Sequence, residues 1–331
     1  MSITMSHETA PEDRNQEVKL NLDVKKNGPK GIWYIDVNIN NKRLPPIPVF
    51  HIREDSHKKD IAQALVSGEP VVAFGIGNYG LAIGVEDPRR GRNPNSWNGW
   101  WDFKPERPIE SKVPILLPWK HWSRVMDKRK LHPNIRPLFT YEKLKQLYRD
   151  GIVFHIKTAT YDRAPHIDNR CFIQEENGKR MISLLFWDDP DIYEVADLAF
   201  RFDPQVLVGI SSYNPRGENP AFSFEEVLEM ILRTKKVGFK YLVRDEVGEA
   251  VGVRSSMSIF VVEEDHFYEQ RRGSISKEKF IQALALNNTY VRSDNNPVYA
   301  ARGHKKNRTL DNLVEEVQRR SYEKHNSRRK Q

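Results

Sequence analysis

The sequence contains very little cysteine: Cys171 is the single one among 331 residues. A lone cysteine cannot form a disulfide within the chain and has no CxxC neighbour, which excludes a disulfide framework and a zinc site built on thiolates. We interpret Cys171 as a small buried side chain rather than a nucleophile. A chain of this length can bury a sizeable core without disulfides or a structural metal.

Long apolar runs are absent as well. No stretch approaches the roughly 20 apolar residues that a bilayer helix needs, and residues 1–17 are too polar and too acidic for a signal peptide. Hydrophobic residues make up 38% of the chain and the mean hydropathy is -0.68, which lies at the polar end of the range for soluble proteins. We therefore expect a soluble, cytoplasmic protein with no membrane partner.

Several common catalytic motifs are missing. The sequence has no Walker A motif, no GxGxxG that opens a helix, no GxSxG and no HExxH. Its ten histidines never take a metal-ligand spacing with carboxylate or cysteine partners. We therefore predict no protein-bound metal site of the familiar sequence types.

Basic charge is concentrated at the end of the chain. Of the formal net charge of +8, residues 302–331 supply a surplus of six, since they hold ten Lys or Arg and four Asp or Glu. Only +2 then remains for residues 1–301. Such a tail suits a phosphate backbone through counterion release, although a solvated charged terminus is the commoner explanation. RNA is thus a candidate partner of the tail.

The chain divides into four segments by pattern. Residues 1–17 lack periodicity and are predicted to be disordered, and residues 18–55 alternate apolar and polar positions, which predicts an N-terminal β extension. Residues 56–285 alternate strand-like runs such as PVVAFGI and QVLVGISS with helical patterns, which predicts a mixed α/β sheet covered by helices. Residues 286–331 form a polar linker and the basic tail.

A stretch without clear period, residues 87–112, is rich in Arg, Pro, Gly and Trp. We predict a long ordered loop there, a feature that is often functional in compact domains. Its tryptophans, Trp97, Trp100 and Trp101, are candidates for stacking on bases.

Two local patterns in the first half of the domain contain candidate ligand-binding residues. The helix end SGEP is followed by VVAFGIGNYGLAI, with a turn at Tyr79 to Leu81. The second pattern, FKPERPIESKVPILL, presents Lys104, Arg107 and Lys112 before a strand. Three cations within nine residues are what a triphosphate needs for charge-assisted hydrogen bonds.

Two further patterns follow in the second half. VGISSYNPRGENPAFSFEEVL ends a strand in Ser-x-Asn, with Ser212 and Asn214, and would present a hydroxyl and an amide at the carboxyl edge of a sheet, where α/β folds bind ligands. The same residues are ordinary turn and capping residues, so that interpretation stays open. GVRSSMSIFVVEEDHFYEQRRGSISKEKF contains Arg271 and the hydroxyls of Ser256 and Ser258.

In this order the four patterns resemble those of the YrdC-like family, the fold of the threonylcarbamoyl-adenylate synthases. The resemblance covers about two thirds of the chain. It implies an α/β fold with a twisted mixed sheet flanked by helices, here with an N-terminal β extension and a basic C-terminal tail. It also implies a nucleotide-binding cleft lined by basic and hydroxyl side chains.

The resemblance implies an activity too: an ATP-using transferase that forms a carbamoyl or acyl adenylate and releases pyrophosphate. In the family, threonine, bicarbonate and ATP react, and the product feeds tRNA modification. Such chemistry depends on stabilising the charge of the departing pyrophosphate, with Mg²⁺ bridging the phosphates. By role, the implied residues are catalytic Lys104, Arg107 and Arg271; nucleotide-binding Lys112, Ser212, Asn214 and either Ser256 or Ser258; and substrate-pocket Gly75, Gly77 and Tyr79.

The chain departs from the family pattern at two places. Where the family has Pro-Thr-acid-Thr before Tyr-Gly-Leu, residues 74–78 read FGIGN, and Lys104 stands three rather than two positions before Arg107. Glycines in place of threonines predict a wider pocket and a different small carboxylate or amino-acid substrate. The alternative hypothesis is a YrdC-like module that has lost catalysis and binds a nucleotide or RNA. In either case we expect Arg107, Ser212, Asn214 and Arg271 to face a common cleft.

Deletion of residues 302–331 should leave folding and nucleotide binding nearly intact, because a polar linker precedes the tail. Affinity for RNA should fall, and if about five cations contact phosphates, the slope of log affinity against log salt should change by about 3.5 to 4.5 units. Fluorescence anisotropy at several salt concentrations measures both. The alternative is a helix docked on the domain, because Leu310, Leu313, Val314 and Val317 have helical spacing. In that case the deletion would lower the melting temperature by many degrees and leave RNA affinity unchanged.

Overall fold

A computed structural model of the chain describes residues 20–26, 28–75, 78–85, 114–124, 128–130, 133, 136–149, 154–159, 173–176, 179–185, 189–204, 206–215, 218, 220–251, 258–262, 267–271, 277–284 and 291–293. The predicted disordered terminus, the tryptophan loop and the tail lie outside these residues, as do Cys171, Gly77, Lys104, Arg107, Lys112 and Ser256. Of the predicted linker the structure describes residues 291–293, which form a short strand.

One mixed sheet organises the described chain. Its strands are β1 (Leu20–Lys25), β2 (Trp33–Ile39), β3 (Lys42–Arg43), β4 (Ile47–His51), β5 (Val71–Phe74), β6 (Tyr79–Val85), β7 (Ile115–Leu116), β8 (Phe154–Ala159), β9 (Ile173–Glu176), β10 (Lys179–Leu185), β11 (Leu207–Ser212), β12 (Tyr241–Arg244), β13 (Ser258–Val262), β14 (Phe267–Arg271) and β15 (Val291–Ser293). Their order is β1-β2-β4-β12-β5-β6-β11-β7-β10-β8-β13-β14-β15, with β3 on β2 and β9 on β10.

Helices flank this sheet, as the sequence predicted. They are α1 (Asp55–Val66), α2 (Tyr141–Arg149), α3 (Pro190–Phe202), α4 (Phe224–Thr234), α5 (Glu246–Val251) and α6 (Lys277–Leu284). Asp189 caps the start of helix α3, because its carboxylate accepts hydrogen bonds from the N–H groups of Asp191 and Ile192. Within the described residues, none of these helices combines the length and apolar character needed to cross a bilayer.

The N-terminal β extension belongs to the same sheet as the rest of the domain. Strand β4 runs parallel to β12, with Val49 opposite Leu242, and β12 runs parallel to β5, with Leu242 opposite Val72. A strand from late in the chain is therefore inserted between two early ones. The extension thus continues the sheet beyond β12.

Apolar side chains from alternate strand positions build one core on each face of the sheet, because neighbouring residues of a strand point to opposite faces. Val72 and Leu207 pack with α4 in one core. Their neighbours Val71 and Val208 pack with α1 and α3 in the other. The sheet is therefore covered on both sides, and the fold class predicted from the sequence is confirmed.

A buried cluster of charges joins α1, α3 and the ends of β4 and β12. The Arg53 guanidinium, 10% exposed, donates from Nε to Asp245 Oδ1 at 3.0 Å, from Nη2 to Asp189 Oδ2 at 2.8 Å and from Nη1 to Asp191 Oδ2 at 2.7 Å. Burial disfavours the charged guanidinium, but the carboxylates of Asp189 and Asp245 outweigh this and raise the pKa of Arg53. The cluster thereby fixes α3 and α5 against the sheet edge.

Lys58 extends the same cluster on α1. Its Nζ lies 2.9 Å from Asp55, 2.7 Å from Asp191 and 2.6 Å from Glu194. These three carboxylates lie within 4.8 Å of one another, a grouping that could hold a metal ion. The ammonium of Lys58 lies among these carboxylates and contributes a positive charge from within the chain.

Replacing Arg53 by methionine should destabilise the fold by about 3 to 5 kcal/mol, because it leaves buried carboxylates without their counter-charge. Burial already raises the pKa of Asp189 against the effect of Arg53, so loss of Arg53 raises it further. The deficit should therefore shrink as the pH is lowered from 7 towards 5 and the carboxyl protonates.

Urea unfolding of Arg53→Met at both pH values measures these effects. Arg233→Met is the matched control, because Arg233 pairs with Glu218 at the surface and is 56% exposed, so its loss should cost no more than about 1 kcal/mol. Equal, small losses in the two variants would contradict a structural role for the Arg53 cluster.

Candidate functional site

The carboxyl ends of four strands that run in one direction, β4, β12, β5 and β11, meet at one edge of the sheet. Across this edge Val243 pairs with Ala73, Ala73 with Gly80, and Gly80 with Ser212. Ligands of α/β folds bind at the carboxyl ends of strands. We call this region the carboxyl edge. It contains three predicted site residues that follow or end strands, Gly75, Ser212 and Asn214, and also Tyr79, which begins β6.

A tight turn joins β5 to β6 at the carboxyl edge. Phe74 pairs with Tyr79, and the Gly75 N–H donates to the carbonyl of Asn78 at 2.8 Å. The adjoining strands are also close, because a Cβ at Gly80 would lie 3.1 Å from the Ser211 carbonyl oxygen. This turn stands where the resemblance would place threonines.

Tyr79 lies beneath the carboxyl edge and is fully buried. Its hydroxyl donates to Glu249 Oε1 at 2.6 Å. Burial, together with the neighbouring Glu249 carboxylate, raises the pKa of Tyr79 well above its usual range. The residue was predicted to line a substrate pocket. The structure commits its hydroxyl to a carboxylate within the protein.

Glu249 is the acceptor on which several elements converge. Besides Tyr79, it accepts from Arg244 Nε at 3.1 Å and Nη2 at 3.0 Å, and from the N–H of Phe224 at 3.2 Å. These donors come from β6, β12 and the start of α4. A single carboxylate of α5 therefore holds three elements together below the carboxyl edge.

Close packing of α5 depends on Gly248. A Cβ at this position would lie 2.6 Å from the Phe74 ring and 2.7 Å from Asp245 Oδ2. The Gly248 N–H also donates to Asp245 Oδ1 at 3.0 Å. Glycine thus permits the close approach that brings Glu249 under the site and leaves Asp245 oriented towards Arg53.

The N-terminal extension forms a wall around Arg244. The guanidinium carbon lies 4.9 Å from the centroid of the Trp33 ring and 4.5 Å from that of Phe224, which is cation–π geometry. His51 meets Trp33 edge to face at 4.8 Å. Burial, against the effect of nearby Glu246, lowers the pKa of His51, which favours the neutral imidazole.

The turn after β11 is held by its own side chains. The Tyr213 N–H donates to the Tyr79 carbonyl at 2.9 Å, and the buried Asn214 amide donates to the carbonyls of Pro215 at 2.9 Å and Glu218 at 2.6 Å. This is the turn role that the sequence left open for Asn214. Ser212 is partly exposed at the end of β11, so it is the better placed of the two to contact a ligand.

Ser258 and Arg271 lie in a different part of the sheet. Arg271 pairs with Ile259, the neighbour of Ser258, so these two predicted residues are close along the backbone. Strands β7, β10 and β8 lie between them and β11. The paired residues of these strands place Ile259, the neighbour of Ser258, level with Val208. Val208 lies near the start of β11, whereas Ser212 ends that strand. A cleft shared by Arg271 and Ser212 stays a prediction.

The sequence reasoning missed the charged residues at the carboxyl edge. Arg53 follows β4 within the run HIRED, and Arg244 ends β12 within YLVRDEVGE. The available signal was charged residues directly after a buried strand, the same rule that selected Ser212 and Asn214. Trp33 carried no such signal, because it reads as an ordinary position of an alternating strand.

Comparison with known proteins identifies solved structures of similar architecture. No protein-family model and no curated protein matches the sequence. The crystal structure of P. abyssi Sua5 complexed with L-threonine is similar, with a TM-score of 0.53 and 12% identity over 76% of this chain and 65% of that chain. The chain has a YrdC-like fold. A variant of P. abyssi Sua5 gives a TM-score of 0.48 at 14% identity over 71% and 62% of the two chains. E. coli YciO gives 0.49 at 11% identity over 70% and 97%.

The assignment of a YrdC-like fold rests on the similarity to the L-threonine complex of Sua5, whose TM-score exceeds 0.5. This chain spans less than two thirds of the length of either Sua5 structure. At such low identity the similarity is one of fold.

Tyr79→Phe should destabilise the YrdC-like fold by about 1.5 to 3 kcal/mol, because it removes a hydrogen bond to a buried charged group. Urea unfolding measures the loss. Tyr241→Phe is the control, since that ring is partly exposed and stacks on Phe50. If both variants unfolded at the wild-type urea concentration, Glu249 would not be the convergence point described above.

Proposed function

We propose that this protein is an ATP-using transferase that joins a carbamoyl or acyl group to AMP with release of pyrophosphate. The observation that carries the proposal is the fold shared with a Sua5 structure that is complexed with L-threonine, together with Ser212 at the carboxyl edge. Such a product would supply a tRNA-modification step in the cytoplasm.

The nucleotide needs donors for its oxygens and cations for its phosphates. Ser212, partly exposed at the end of β11, suits a hydrogen bond to the nucleotide, and Asn214 holds the turn that presents it. The cations at the described edge, Arg53 and Arg244, are balanced by carboxylates. The phosphates would therefore be held by Lys104, Arg107 and Lys112, with Ser256, Ser258 and Arg271 as further candidates.

Charge stabilisation is the main catalytic demand of this reaction. For an acyl adenylate the attacking oxygen belongs to the carboxylate of the substrate; for a carbamoyl adenylate it belongs to the carbamate that the substrate amine forms with bicarbonate as water is lost. This oxygen attacks the α-phosphorus of ATP, the bond to the bridging oxygen breaks, and the electron pair leaves with pyrophosphate. Lys104, Arg107 and Arg271 would lower the barrier by pairing with that growing charge. Mg²⁺, when bound to the phosphates, would share in neutralising them.

The second substrate is expected to differ from threonine. The turn that begins at Gly75 replaces the hydroxyl side chains implied by the resemblance, and Tyr79 directs its hydroxyl to Glu249. A substrate pocket at the predicted residues Gly75, Gly77 and Tyr79 would therefore offer few hydrogen-bond donors to a threonine side chain. It suits a larger or less polar small carboxylate or amino acid.

A second candidate is a module that binds a nucleotide or RNA without turnover. The specific observation in its favour is that the polar groups of Tyr79, Asn214 and Arg244 make hydrogen bonds within the protein. On this hypothesis the carboxyl edge is a rigid platform, and ligand affinity comes from Ser212 and from basic residues elsewhere in the chain.

Pyrophosphate release from ATP and bicarbonate, screened across amino acids and small carboxylates, tests the proposal. We expect release with at least one acceptor other than threonine. Arg107→Ala should lower ATP affinity in calorimetry by about ten to a hundredfold, the loss of one charge-assisted hydrogen bond. Arg43→Ala, a change at an exposed arginine of β3, is the control.

The outcomes separate the two candidates. ATP binding without pyrophosphate release for any acceptor would favour the binding module. ATP affinity that is the same in Arg107→Ala and wild type would reject the role given to Arg107. Absence of ATP binding to the wild type would reject both candidates as nucleotide proteins.

A further inference from the structure

A second basic segment lies inside the domain. Residues 119–149 hold nine Lys or Arg and two Asp or Glu, a surplus of seven. The small net charge of residues 1–301 conceals this segment, because the rest of that stretch is net acidic. Positive charge is therefore concentrated at two places in the chain, and one of them is largely described by the structure.

The fold turns the polar side of this segment outwards. After β7 the chain runs through the short 3-10 turns Trp119–Arg124, Lys128–Lys130 and Arg136–Leu138 into α2. Apolar anchors hold it to the core: Trp122 is 1% exposed and donates from Nε1 to the Leu117 carbonyl at 2.8 Å, and Phe139 and Leu144 are buried. With these anchors inside, Arg129 and Arg136 are exposed.

Aromatic rings and cations alternate on the exposed side. Trp119 packs against buried Trp122 with ring centroids 4.8 Å apart, and Lys128 Nζ lies 3.8 Å from the Trp119 centroid. Tyr141 follows at 6.5 Å from Trp119, with Lys145 Nζ 5.3 Å from its centroid. Such cation–π contacts orient the ammonium groups beside the rings.

A backbone contact brings the arginines to the same surface. Arg136 Nη2 donates to the carbonyl of Arg129 at 2.5 Å, and Arg129 follows Lys128 directly. These contacts and chain adjacency join six partly or fully exposed residues of two chemical kinds into one group. We call it the Trp-Lys surface and define it by Trp119, Lys128, Arg129, Arg136, Tyr141 and Lys145.

We propose that the Trp-Lys surface binds single-stranded nucleic acid. Lysines and arginines neutralise a phosphate backbone and release its counterions, and partly exposed aromatic rings stack on unpaired bases of any sequence. An acidic protein would use the cations but has no bases to stack on the rings. A duplex keeps its bases stacked inside, so it would also leave the rings without partners.

This surface is separate from the carboxyl edge. The segment leaves the sheet after Leu116, which pairs with Val208 near the start of β11, whereas Ser212 ends that strand. His121 stacks on Phe200 of α3 with centroids 3.6 Å apart, and Lys120 pairs with Asp197, so this end of the segment is fixed to α3. The inference is thus independent of whether the carboxyl edge turns over ATP.

Fluorescence anisotropy of the full chain with a labelled oligouridylate of about 12 nucleotides tests the proposal. The triple variant Lys128→Gln, Arg129→Gln, Arg136→Gln should bind about tenfold or more weakly at low salt. Its slope of log affinity against log salt should fall by about two units, since three phosphate contacts contribute about 0.7 each. The matched control, Lys42→Gln, Lys59→Gln, Lys235→Gln, removes the same charge from exposed positions elsewhere and should bind like wild type.

A second variant tests the aromatic part without changing charge. Tyr141→Leu should lower affinity by about five to a hundredfold with an unchanged salt slope, because one base loses its stacking partner. Tyr141 is preferred to Trp119, whose packing on buried Trp122 ties it to the core. Circular dichroism of each variant verifies that it is folded.

Three results would overturn the proposal. Binding by the triple variant that matches the charge control would assign all nucleic-acid affinity to other basic residues, such as those of the tail. Competition by polyglutamate as strong as that by unlabelled oligouridylate would make the surface a general site for acidic polymers. Equal affinity for a duplex would remove the role given to the rings.

Discussion

The buried guanidinium of Arg53 is the interaction on which the rest of the structure depends. It follows a strand of the N-terminal extension, yet its partners are the first residues of α3 and the residue after β12. Each partner is an aspartate that would be costly to bury alone. Their pairing with Arg53, and that of Asp191 with Lys58 as well, lets α1, α3 and α5 converge on the ends of the parallel strands. The geometry of the carboxyl edge follows from that convergence.

Glu249 repeats the same device with the charges reversed. There a buried carboxylate gathers a hydroxyl, a guanidinium and a backbone N–H from three elements. The Arg53 cluster and the Glu249 cluster are neighbours, because Asp245 directly precedes α5 and Glu249 lies one helical turn after it. Polar groups beneath the carboxyl edge are therefore largely satisfied within the protein, and contacts with a ligand must come from its rim, where Ser212 is partly exposed.

Local structure was well predicted from the sequence, and long-range arrangement was not. The helical periodicity and capping residues of segments 140–151, 191–202 and 223–236 are local signals, and these segments form α2, α3 and α4. Within the apolar run 113–119 the strand spans Ile115–Leu116, since Pro114 and Pro118 flank it and lack an N–H for the ladder. Resemblance led to the correct fold. The partners of Arg53 and Glu249 were missed because each charged residue, taken with its sequence neighbours, has the pattern of a solvated residue. Pairing between distant segments produces no regular spacing in the sequence.

The insertion of β12 between β4 and β5 also constrains how the molecule can be made. Arg53 and Asp245 are 192 positions apart in sequence. Strands β4 and β5 therefore cannot pair with β12 until most of the chain has been synthesised. Contacts of this kind slow folding, because a long loop must close before any pairing energy is returned. During synthesis on the ribosome, β4 and β5 would emerge with open edges, and unpaired strand edges invite association with other chains. The facing edges of β4 and β5 therefore stay unpaired until residues 241–244 of β12 have emerged.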